Sequence, residues 1–136
     1  MILILCVDKD YGMLFNHRRL SQDKNMMVDM TDMVKDEKLY MNSYSYGLYK
    51  NLGCQNIVVD EQLDKDDGYC LIENQTITKL NDVIKEVVIY NWNRKYPADL
   101  YFPYSLLEGW DIKECYEFVG NSHDTITKTV YERGLK

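Results

Sequence analysis

Ile2, Leu3, Ile4, Leu5, Cys6 and Val7 form an unbroken apolar run closed by Asp8-Lys9-Asp10. A short run with no polar alternation reads as a strand buried on both faces, which puts it inside a sheet and not at an edge. With 136 residues, 46% of them hydrophobic, the chain has material for one globular domain over residues 1–136. No internal repeat, low-complexity tract or inter-domain linker interrupts it.

After the loop Tyr11 to Leu20, Ser21 is positioned to cap a helix, and Met26, Met27, Met30, Met33 and Val34 recur at the spacing of one helical face. At about 100° per residue, Asp23 falls in the middle of that stripe, with Asp29 and Asp32 opposite. Burial disfavours a charge at Asp23 and the helix N-terminus favours it, which makes this carboxyl a candidate proton-holding group. The competing reading is an ordinary first-turn carboxylate reaching water.

Further strands are expected at 38–41, 55–59, 69–72 and 87–91, a helix through Ile77, Leu80, Val83 and Ile84, and a closing antiparallel hairpin from Trp110–Phe118 and Thr125–Tyr131. The net charge of −6 argues against a nucleic-acid surface, since such affinity comes largely from neutralising phosphates. No run approaches the roughly 18 apolar residues of a membrane span, and the opening run is too short for a signal peptide, so a cytoplasmic protein is expected. Cys6, Cys54, Cys70 and Cys115 are scattered, and neither His17 nor His123 has a second ligand at metal spacing. Buried thiols and no metal site are therefore expected.

The pattern Ile4-Leu5-Cys6-Val7-Asp8-x-x-x-Gly12-Met13 followed by Leu20-Ser21-Gln22-Asp23 resembles the opening of dihydrofolate reductase. Ala98-Asp99-Leu100-Tyr101-Phe102-Pro103, Trp110, Asn121-Ser122-His123-Asp124 and Val130-Tyr131-Glu132-Arg133 resemble that family's closing signatures in the same order. The resemblance implies a three-layer α/β/α fold with a mostly parallel central sheet and a C-terminal antiparallel hairpin. It makes Asp23 the candidate catalytic carboxylate, facing a ligand pocket lined by Ile4, Met27, Leu52 and Tyr90.

The departures from the family are as informative as the matches. Where it has an Arg that holds the nicotinamide cofactor's phosphates, this chain has Ser43, within Asn42-Ser43-Tyr44-Ser45. Cys54 stands where an Arg anchors the folate glutamate tail. The strand at 69–72 is either the family's next peripheral one or the central one before its glycine-rich loop; the spacing from Tyr69 to Tyr90 favours the central strand-loop-helix-strand, with a peripheral unit lost. That alignment puts Glu73-Asn74-Gln75 where glycines let a backbone approach the pyrophosphate. Ser43, Ser45 and Asn74 are what is left of the cofactor-binding positions.

Taken together, these substitutions favour a diverged protein that binds a small-molecule ligand or a protein partner, with no cofactor and no standard reductase activity. The alternative is an NADPH-dependent reductase of a pterin-like or other small heterocycle. A third reading, a metal-free ribonuclease, needs His17 and His123 to meet.

Overall fold

The computed structural model describes residues 1–134. The strands are β1 (Ile2–Val7), β2 (Gly12–Phe15), β3 (Arg18–Arg19), β4 (Leu39–Met41), β5 (Ile57–Val59), β6 (Tyr69–Leu71), β7 (Glu86–Asn91), β8 (Leu100–Tyr101), β9 (Asp111–Phe118) and β10 (Ile126–Glu132). The helices are α1 (Lys24–Met33) and α2 (Ser43–Tyr49), with a 3-10 turn over Tyr104–Leu107. One seven-stranded sheet runs β5-β4-β6-β1-β7-β10-β9, and a three-stranded sheet runs β3-β2-β8. In the larger sheet β5 to β7 are mutually parallel, and β10 and β9 close it antiparallel.

The opening run is buried mid-sheet as its composition demands. Its side chains alternate between two cores: Ile4 packs with Met26, Met27, Met30, Tyr49 and Val88 on one face, while Leu3, Leu5 and Val7 pack with Val87, Ile89, Phe102 and Leu107 on the other. Both helices contribute to the first face. β6 pairs with β1 on one side and β4 on the other, so the Tyr69 to Tyr90 unit is the central one.

Two local expectations are corrected. The helix expected through Ile77, Leu80, Val83 and Ile84 does not form. Ile77, Leu80 and Ile84 still pack into the second core, but an Asn81 turn interrupts the segment. The Val83 amide donates to Asn81 Oδ1, and the Arg133 guanidinium takes the carbonyls of Leu80, Asn81 and Ile84 that a helix would need. The second correction is that Ser21 does not cap α1. Asp23 does, with φ −150° and ψ 126° and its side chain accepting from the Asn25 and Met26 amides.

Candidate functional site

The extended backbone at Asp23 is why the helical phase misplaced its side chain. A residue before the first turn does not follow the 100° rotation, and its carboxylate is directed across the end of α1 toward the β9–β10 turn. There Oδ1 accepts from the Asn121 amide at 3.0 Å, and Oδ2 accepts from the Ser122 amide at 2.8 Å, the Ser122 hydroxyl at 3.2 Å and His123 Nδ1 at 3.0 Å. Gly120 makes this approach feasible, because a Cβ there would lie 2.7 Å from Asp23 Oδ2 and 2.5 Å from the His123 carbonyl. Burial is the largest single influence on Asp23 and opposes its charge. The Asn121 amide, the His123 ring and the Ser122 and Met26 amides together outweigh it and hold the carboxyl well below the usual carboxylate range. Asp23 is thus a fixed anion and not a proton reservoir.

Because that anion can only accept, the contact requires a proton on His123 Nδ1, which leaves Nε2 as the acceptor in the neutral ring. Ser21 Oγ lies 3.0 Å from Nε2 and the Tyr96 hydroxyl 2.9 Å from it, with 3.3 Å between the two oxygens. The Trp92 ring stacks on the imidazole at 4.7 Å between centroids and 18° between planes. Tyr96 is held by Asp8, whose carboxylate accepts the Asp10 and Gly12 amides on one oxygen and the Tyr96 amide on the other. Ser21 follows the β2–β3 hairpin, whose two-residue turn at Asn16 and His17 has φ of 50° and 64°.

This network forms one wall of a cleft of about 540 Å³ lined by Arg19, Ser21, Lys24, Met27, Leu48 and Ser122, among others. A second depression of about 350 Å³, bordered by Arg18, Arg19 and Tyr96, adjoins it. The expected pocket is built differently. Of Ile4, Met27, Leu52 and Tyr90, only Met27 borders the cleft. Ile4 and Tyr90 are sealed in the core, and Leu52 is 42% exposed. The Tyr90 hydroxyl does not reach Asp23. It donates to Asp29 Oδ2 at 2.6 Å, an oxygen that also receives Lys128 Nζ at 2.9 Å. Asp29 lies on the flank of the methionine stripe, not opposite it, so side chains from β7 and β10 meet it there.

The residues expected at cofactor positions are engaged by the chain itself. The Ser43 amide, at the start of α2, donates to Glu61 Oε1 at 2.8 Å, and the Ser45 amide donates to Asn42 Oδ1 at 3.1 Å. Asn74 Oδ1 accepts from Asn42 Nδ2 at 2.8 Å. The Ser43 hydroxyl and amide draw the Glu61 carboxyl below its ordinary range. Glu73, 7% exposed, is held by Arg19 through both carboxylate oxygens at 3.0 and 3.1 Å. Arg19 also lies over the Tyr44 ring at 4.7 Å. A pyrophosphate at this end of α2 would face two carboxylates and amides already bonded, so these residues do not fit a dinucleotide.

The two histidines are not joined. His17 is exposed at the hairpin tip, and the His123 ring nitrogens engage Asp23, Ser21, Ser122 and Tyr96. Sequence reasoning missed the pairing of Asp23 with His123, which lies 100 residues further on. It also missed Tyr96 and the Asp29–Lys128 pair. The only signal for the first was the closing Asn-Ser-His pattern, read as a family signature and not as a partner for α1.

The sheet order, the position of α1 and the antiparallel hairpin define a dihydrofolate reductase-like fold. A solved structure similar to this chain is described as dihydrofolate reductase from Enterococcus faecalis complexed with NADP(H) and RAB-propyl. It has a TM-score of 0.69 and 11% sequence identity, with 97% of this chain and 95% of that one covered. At that identity the likeness shows the fold alone. No protein-family model matches the chain, and no curated protein matches it in sequence. Among the described residues no helix is long and apolar enough to cross a membrane.

Proposed function

We propose that the chain uses the cleft beside the Asp23–His123 network to bind a small ligand, and that it does so without NADPH-dependent reduction. The observation that carries this reading is the self-occupied start of α2, where Glu61 and Asn42 take the amides of Ser43 and Ser45. Hydride transfer requires the cofactor held face to face with substrate, and the Ser43 and Ser45 amides that would meet its phosphates are already bonded to Glu61 and Asn42. One lost charge-assisted hydrogen bond costs about 1.5–3 kcal/mol, and the Glu61 and Glu73 carboxylates add repulsion. The cleft itself suits a ligand of modest size: its volume lies within the usual range for small-molecule sites, with Met27 and Leu48 as apolar wall and Lys24 as a cation.

The likeness to a reductase complexed with NADP(H) favours a second reading, reduction of a small heterocycle. Amide-resolved NMR separates the two. A library of small anionic and aromatic fragments is expected to shift the amides of Ser21, Gln22, Lys24 and Ser122, while NADPH leaves those of Ser43 and Ser45 unmoved. Saturable NADPH shifts at Ser43 and Ser45 would reject the first reading.

A further inference from the structure

We propose that Ser21, His123 and Asp23 form a hydrolytic triad that cleaves small carboxylic esters bound in the cleft. The inference rests on the reading of that cleft as the ligand site. Three features meet at one place: a serine hydroxyl bordering a cavity, a histidine nitrogen 3.0 Å from it that the Tyr96 hydroxyl also approaches at 2.9 Å, and a buried carboxylate 3.0 Å from the other ring nitrogen. This arrangement is recognised by geometry and roles, not by order along the chain. The His123 side chain is 2% exposed and that of Asp23 fully buried. The proton acceptor is therefore shielded from water while its serine partner opens to the cleft.

The chemistry balances with water as co-reactant. Ser21 Oγ attacks the acyl carbon and its proton passes to His123 Nε2, while Nδ1–H stays on Asp23. The oxyanion collapses, the bond to the alkoxy oxygen breaks, and the departing alcohol takes the proton from Nε2. Water then adds to the acyl-serine, giving its proton to Nε2, and collapse returns that proton to Ser21 and frees the acid. Asp23 acts through His123 as a positioning residue, fixing the tautomer and facing the imidazolium. The Tyr96 hydroxyl, 3.3 Å from Ser21 Oγ, is a neutral donor beside the reacting centre. Met27 and Leu48 suit a short acyl chain, and Lys24 suits a polar or anionic group at the other end.

The test is treatment of the purified chain with a fluorophosphonate probe, alongside turnover of p-nitrophenyl butyrate. One adduct is expected, mapped to Ser21. Turnover should fall at least about a hundredfold in Ser21→Ala and in His123→Gln, with no further fall in the double variant. Ser21 makes no capping bond to α1, so Ser21→Ala stays folded and keeps the test decisive even if His123→Gln does not. In the folded fraction of Asp23→Asn, kcat should drop with KM held, whereas a merely structural role would leave both unchanged. No adduct, an adduct on another residue, or turnover indifferent to Ser21→Ala would overturn the triad. Fragment shifts at the cleft without labelling defeat the hydrolase alone, whereas saturable NADPH shifts at Ser43 and Ser45 defeat the ligand-site reading whatever the labelling shows.

Discussion

At Asp23 a single carboxylate accepts from the first turn of α1 and from a turn at the far end of the chain, and it is the tie between them. Its replacement by Ala strips an N-cap and leaves His123 and several amides without their acceptor. A loss of about 2–4 kcal/mol in urea unfolding is expected, from the lost cap and the buried donors left unpaired. Because the folded-state pKa is depressed, this stabilisation is fully present above the unfolded value of about 3.9 and is lost as pH falls through the folded one. The Asp23→Ala variant should accordingly show a flatter acid limb of stability than the wild type. Gly120→Ala inserts a Cβ where 2.5 to 2.7 Å is free. About 1–3 kcal/mol of overpacking is expected, measured the same way. The sequence singled out Asp23, but its helical phase was no guide to a residue that precedes the helix. His123 was out of reach because no local pattern encodes a contact across 100 residues.

Among the elements, the strands were the most legible, since an apolar run or a two-residue alternation has few other uses. β1, β4, β6, β7 and the β9–β10 hairpin lie where the pattern put them, to within a residue. The segment from Ile77 to Ile84 shows the limit of periodicity. Its apolar spacing is helical and its apolar side chains do face the core, but Asn81 and Arg133 supply better partners for its backbone than a helix ladder. Hydrogen exchange measures the difference directly. Amides of β1 and β7, paired on both sides, should exchange slowest, and those of Thr76 to Asp82 among the fastest. Protection of Thr76 to Asp82 equal to that of β7 would contradict the irregular conformation.

The whole molecule has a dihydrofolate reductase-like fold in which polar groups near the start of α2 are bonded within the chain. Asn42 donates to Asn74 and accepts from the Ser45 amide, Glu61 accepts from the Ser43 amide, and Arg19 closes on Glu73. In the sequence, Ser43 and Glu73 stood out as departures from the family's cofactor positions. The sequence did not anticipate that Glu61, in an acidic loop, would reach the α2 amide, because loop geometry is set by tertiary context and not by composition. Glu73→Gln removes the charge from the Arg19 pair and should cost about 2 kcal/mol, between the surface and the fully buried cases, as read by thermal unfolding. The central claim, that the proposed ligand binding proceeds without NADPH, is tested most directly by calorimetric titration of the purified protein with NADPH. A dissociation constant of about a millimolar or weaker is expected, since each lost 1.4 kcal/mol is about tenfold in affinity. Binding in the low micromolar range, with dihydrofolate-dependent oxidation of the cofactor, would contradict it.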